Sequence, residues 1–249
     1  MIKTELKRNT LIILLNRPEK RNSLHPDLVS QLKSVLLNAE HDEEIKSVII
    51  TGEGSAFCAG ADLEYLKKLS TNSILDNEND SSSLAEMYFQ IYNFSKPVIS
   101  AVNGPAIAGG CGLASVCDLI VAHPEKSVFG YSEVKIGFIP AIVSVFLHRR
   151  VGEGYTKQLL LTGETINGNR AYDIGFVNYL ADNVLEEAVR ISEQLNQNSA
   201  LSMSLTKKLI NSVSDLQIQT AIDFCINLNV ISRTSEDFTK GIQKFLNKE

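Results

Sequence analysis

Three short stretches carry residues able to do chemistry on a carbonyl compound: AFCAGADL (56–63), NGPAIAGGCG (103–112) and FGYSE (129–133). The first two are small-residue loops that end an apolar run and lead into a helical pattern, where the first N–H groups have no intrahelical acceptor. Such groups favour negative charge. If the two loops lie side by side, Ala61 and Gly109 offer two backbone donors to one oxygen, and the neighbouring residues must be small so that a carbonyl can reach them. The competing reading is close helix-to-strand packing, which asks for the same small residues. Glu133 is the third element: a glutamate after a strand either caps a helix start in solvent or serves as a base.

Other chemistries fit less well. Gly52-x-Gly54 lacks the third glycine of a dinucleotide loop, no G-K-[ST] follows a glycine run, and there is no G-x-S-x-G elbow. Cys58, Cys111, Cys117 and Cys225 have neither C-x-x-C spacing nor nearby histidines, so packed, reduced thiols are expected and no metal site. His25, His41, His123 and His148 are scattered singly.

The elements that must position these residues follow a repeating pattern. TLIILL (10–15), SVIIT (47–51) and PVISAV (97–102) read as buried strands. Each is followed by a turn-rich loop and then a helix: from His25-Pro26-Asp27 to about 41, from about Ala61, and from about Gly109. Strands alternating with helices predict an α/β fold with a parallel sheet. LIVAH (119–123) and VFGYSE (128–133) continue the strand signal. Between the second and third units, STNSILDNENDSSS (70–83) is polar and acidic and is expected to be a mobile flap. From about residue 184 onward the sequence predicts three or four helices. This divides the chain into a core, 1–183, and a helical region for assembly, 184–249.

Composition sets the outer bounds. The 249 residues are 44% hydrophobic and 21% charged, which suits a globular chain with a full core. A net charge of −5 removes the electrostatic basis for sequence-independent nucleic-acid binding. There is no signal-peptide pattern and no apolar run long enough to span a bilayer, so a cytoplasmic protein with no membrane partner is expected.

RPEKRNSL, AFCAGADL, AVNGPAIAGGC and FGYSEVKIGFIP, in this order and with FTKGIQKFLNK near the end, resemble the successive signatures of the crotonase (enoyl-CoA hydratase/isomerase) superfamily. The resemblance covers most of the chain. It implies a spiral of stacked ββα units, a trailing helical region that builds a homo-trimer or a dimer of trimers, and an acyl-CoA thioester as substrate. It implies no separate cofactor, because coenzyme A is part of that substrate.

By the same resemblance, Ala61 and Gly109 are the paired oxyanion donors and Glu133 is the catalytic carboxylate. Gly112 stands where family hydratases usually carry a second catalytic glutamate. Asp62, Leu63 and Tyr131 adjoin the motifs as substrate-site residues, with Asp62 and Tyr131 also open to a proton-handling role, and Lys20 and Arg21 are candidates for the CoA phosphates and adenine.

Three functions stay open at this point: a hydratase, a double-bond isomerase working with one carboxylate, and a CoA-ester-binding or assembly protein with weakened catalysis. GFIPAIVSVFLHRRVG (137–152) further resembles the branch acting on 3-methylglutaconyl-CoA. Loss of a side chain at Gly112 is expected to enlarge or depolarise the acyl pocket in favour of such a branched or carboxylated group. Arg149, His148, Lys67 and Lys68 are the cations available to meet its distal carboxylate.

Overall fold

The computed structural model describes residues 1–69 and 71–246, with the backbone alone at Leu63. The chain opens with an antiparallel pair, β1 (Ile2–Lys7) and β2 (Thr10–Leu15), turned at Arg8 and Asn9, which both adopt positive φ. Helix α1 (Pro26–His41) starts with proline in its first turn, where a missing N–H costs nothing, and His25 Nδ1 accepts from the Asp27 N–H. Strand β3 (Ser47–Gly52), helix α2 (Leu63–Leu69) and helix α3 (Ile74–Asn93) follow. Next come β4 (Val98–Val102), β5 (Ala106–Ile107), α4 (Gly109–Ser115), β6 (Leu119–Ala122) and β7 (Val128–Gly130). The remainder is α5 (Ala141–Thr162), β8 (Thr165–Asn167), α6 (Gly168–Asp173), β9 (Tyr179–Leu180), α7 (Val184–Leu195), α8 (Ala200–Val213), α9 (Ile218–Arg233) and α10 (Glu236–Leu246).

The strands form two sheets. The larger has the order β1-β2-β3-β4-β6-β9 and is parallel from β2 onward; the smaller has the order β5-β7-β8. Strands β3 and β4 are buried along their whole length, as parallel strands covered on both faces must be. One face of the large sheet packs on the α1, α3 and α4 side, where Leu28, Leu32, Leu36, Met87, Tyr88 and Ile91 are sealed from solvent. The other face is covered by α7, whose Val184, Ala188 and Ile191 meet Ile12, Ile49, Ile99 and Val121. The part of the tail without an extensively buried face therefore begins after Leu195.

Within the polar segment expected as a flap, residue 70 lies outside the described residues, and most of 71–83 is helical. Residues 74–83 are the first half of the twenty-residue α3, and Ser73 caps it by accepting from the Asp76 N–H at 3.1 Å. Two contacts tie α3 to its surroundings: Tyr65 Oη donates to Asp80 at 2.7 Å, and Lys33 bridges Ser83 and Glu86. A polar composition was misleading because one helix face only has to bury Met87, Tyr88 and Ile91 farther along. Lys207 ties α8 to the sheet end by donating to Asp118 and to the carbonyls of Ile91 and Lys96.

Candidate active site

The two small-residue loops do lie side by side. Cys58 pairs with Ala106 in a parallel bridge, and the Ile107 N–H donates to the Cys58 carbonyl at 3.0 Å. A second parallel bridge joins Leu24 to Ala61, with the Leu24 N–H donating to Gly60 O and the Asp62 N–H to Leu24 O. These bonds use the residues on either side of Ala61, so the Ala61 N–H points away from Leu24. Among the described residues neither it nor the Gly109 N–H donates to a protein oxygen.

Close approach of the loops depends on glycine. Gly60 adopts φ +86°, and a Cβ there would lie 2.7 Å from Ile107 O and 3.5 Å from the Gly109 nitrogen. Gly110 is tighter still, since its Cβ would come within 2.1 Å of Cys58 O. Ala108, which precedes the Gly109 donor, holds φ 52° and ψ −122°, a strained backbone for a residue with a side chain. Two bonds impose that strain: Ala108 N–H to Gly130 O at 2.7 Å and Gly112 N–H to Ala108 O at 3.0 Å.

The first of these bonds also brings in the carboxylate. Strand β7 pairs with β5, so the turn that follows it sets Glu133 beside the loops, at the start of a single turn of 3-10 helix over Glu133–Ile136. Glu133 is buried, and its Oε2 has no hydrogen-bond partner. Burial raises its pKa above the ordinary carboxylate value, against a smaller opposing effect of its own backbone N–H. Buried Asp62 and half-buried Asp118, by contrast, are paired: Asp62 with Arg17 at 3.0 Å and Asp118 with Lys207 at 2.7 Å.

Several residues expected at the substrate site have partners within the protein. Asp62 takes the Arg17 guanidinium on one oxygen and the N–H groups of Glu64 and Tyr65 on the other. Burial pushes its carboxyl up, but those donors together bring it below its ordinary value. These bonds tie the loop carrying Ala61 to Arg17 and to the start of α2. Tyr131 is turned into the core, its hydroxyl enclosed beside Cys111 and Ser115 without a sound hydrogen bond. The side chain of Leu63 lies outside the described residues.

Lys20 is exposed and pairs with Glu64 at 3.0 Å, which answers its charge. Arg21 is exposed, and its carbonyl accepts from the Ala59 N–H. A polar cleft of about 410 Å³ is lined by Arg17, His25, Pro26, Asp62, Glu64, Tyr65 and Lys68. Arg149 is bound to Asp215 and lines a separate groove beneath α8 and α10. The thiols of Cys58, Cys111 and Cys117 are pushed by burial to about 12, as packed and unreactive cysteines should be.

Gly112 does not leave the expected opening. A Cβ there would lie 2.2 Å from Val143 Cγ1 and 3.3 Å from the Tyr88 hydroxyl, so Val143 from α5 fills the space. Val143 and Tyr88 carried no sequence signal beyond helical periodicity. They reach the site only because α3 and α5 both pack against α4.

A family model for enoyl-CoA hydratase/isomerase matches residues 5–249. The chain belongs to that family. It is an enzyme of the hydratase type, and the family acts on acyl-CoA thioesters. Among its relatives, the 2,3-dehydroadipyl-CoA hydratase of Escherichia coli is 31% identical, covering 97% of this chain and 94% of its own length. The crotonyl-CoA hydratase of Syntrophomonas wolfei is also 31% identical, over 98% of this chain and 94% of its own. An enoyl-CoA hydratase crystal structure from Polaromonas sp. JS666 superimposes with a TM-score of 0.95 at 33% identity, covering all of this chain and 97% of its own. The crotonase fold expected from the motifs is the fold observed. No helix of the described residues is long and apolar enough to cross a membrane.

Proposed function

We propose that this enzyme hydrates an enoyl-CoA thioester with Glu133 as its single acid/base and the N–H groups of Ala61 and Gly109 as the oxyanion hole. The observation that carries the reading is one buried carboxylate whose Oε2 has no hydrogen-bond partner, set by β5–β7 pairing beside two uncommitted backbone donors. Ionised Glu133 takes a proton from water as the oxygen bonds to C3. The C2=C3 electrons move toward the thioester, and the negative charge rests on the carbonyl oxygen against the two N–H groups. Glu133, now protonated, returns the proton to C2 as the enolate collapses. Its raised pKa suits both halves of that exchange. No cofactor is needed beyond the CoA portion of the substrate.

The absence of a carboxylate at Gly112 supports a second reading. A lone Glu133 is sufficient to take a proton from one carbon of an enoyl chain and return it two carbons away. The assay that separates the two is incubation with a panel of enoyl-CoA and 3-hydroxyacyl-CoA thioesters, followed by mass. Hydration changes the mass by one water; isomerisation leaves it unchanged. A panel with neither outcome overturns both readings in favour of a CoA-ester-binding protein.

Val143 over Gly112 argues against the added room that a branched group such as 3-methylglutaconyl would use. Arg149, occupied by Asp215, is no counter-ion for a distal carboxylate. Our reading is an apolar acyl chain, tested by comparing kcat/KM for crotonyl-CoA and 3-methylglutaconyl-CoA. We place the enzyme in the cytoplasm and assign assembly as a trimer or dimer of trimers to α8–α10. The apolar residues Ile218, Ile226, Val230 and Phe245 are exposed on those helices.

A further inference from the structure

The geometry points to Tyr88 as a positioning residue for the oxyanion hole: its hydroxyl pins Gly109 and thereby holds the Gly109 N–H on the substrate carbonyl. This rests on the hydratase reading above and deepens it. Tyr88 lies on α3, is sealed from solvent, and donates to the Gly109 carbonyl at 2.7 Å. The same oxygen is 3.1 Å from where a Cβ of Gly109 would stand and 3.3 Å from that of Gly112.

Helix α4 needs such a restraint. It has no side-chain cap, since Ala108 occupies the cap position, and it opens on two consecutive glycines with wide backbone freedom. The ring of Tyr88 is held in turn by an edge contact with Phe146 of α5, at 6.2 Å between centroids. Burial, reinforced by Glu133, keeps the phenol protonated and therefore a donor throughout the working range. Tyr88 acts through Gly109, to whose carbonyl its hydroxyl donates.

Tyr88→Phe removes one oxygen and keeps the ring. The expected result is a fall in kcat of roughly tenfold, the worth of about one neutral hydrogen bond, with KM within twofold. A purely structural role would lower the melting temperature or the folded fraction and leave kcat per folded enzyme alone. Acetoacetyl-CoA gives an equilibrium readout, because its 1,3-dicarbonyl enolises with an ultraviolet band and an oxyanion hole favours the enolate. The variant should show a weaker enolate band at saturation while binding butyryl-CoA as the parent does.

A parent-like kcat and an undiminished band in Tyr88→Phe overturn the proposal. If the parent itself shows no enolate band, or if Glu133→Gln stays active, the underlying reading fails instead. The two failures are thus distinguishable. Should the variant fold poorly, the band is measured on the folded fraction isolated by gel filtration, where a weaker band supports the positioning role and an undiminished one overturns it.

Discussion

Gly110→Ala tests whether loop contact sets catalytic geometry. The added methyl would sit 2.1 Å from the Cys58 carbonyl oxygen, 2.7 Å from its carbon and 2.8 Å from Cys58 Cβ. That is about 1.3 Å short of the 3.4 Å at which ordinary contact begins. The obstacle is backbone held by the Cys58–Ala106 bridge, so no side-chain rotation relieves it. The loops must part by on the order of 1 Å, and they carry Ala61 three residues after Cys58 and Gly109 three residues after Ala106. A displacement of that size typically costs ~10²-fold in rate, or about 2.7 kcal/mol of transition-state stabilisation. Overpacking should also cost about 1–3 kcal/mol of stability.

The assay is steady-state hydration of crotonyl-CoA, with the folded fraction checked by circular dichroism and ground-state affinity by butyryl-CoA titration. Gly154→Ala makes the same chemical change where a Cβ meets nothing within 4 Å, and should leave kcat unaltered. A kcat for Gly110→Ala within threefold of the parent, in protein of normal fold, would refute the idea that this contact sets the donor spacing.

Glu133→Gln should lower kcat at least ~10²-fold, as loss of an acid/base does, and abolish an acidic limb of the kcat/KM profile that lies above the ordinary carboxylate pKa. It should also stabilise the fold. The folded-state pKa is raised, so ionising Glu133 disfavours the native state as pH rises from the unfolded value through the folded one. Thermal melts should therefore favour the variant at neutral pH and converge with the parent in acid.

Asp62→Ala leaves Arg17 buried and unpaired and should cost about 3–5 kcal/mol by urea denaturation; a loss below about 1 kcal/mol would contradict the locking role. Because the Asp62 pKa is lowered in the fold, this advantage exists above its unfolded value and should fade as pH falls through the folded one. Val143→Ala opens the space over Gly112 and should raise the kcat/KM ratio of branched to straight enoyl-CoA by about 10-fold, as for one or two methylenes of pocket volume.

What the sequence determined by itself is the part written in local pattern. Apolar runs ending in small-residue loops pointed to β2, β3 and β4, to the helices after them, and to Ala61, Gly109 and Glu133 as the residues to watch. A backbone donor needs only a strand, a turn and a helix start, all short-range features. The packing of α7 on the sheet was not separable from the rest of the tail, since an amphipathic helix does not say which surface its apolar stripe will cover.

Only the tertiary structure decided what surrounds the site. Asp62 is paired with Arg17, 45 residues earlier, which its place beside the loop motif does not reveal. Gly112 looked like an opening until Val143, 31 residues later, was found filling it. Tyr88, 21 residues before Gly109, had no local mark at all. Each depends on a long-range contact between packed elements, and no residue's type or spacing records which distant neighbour will occupy the space beside it.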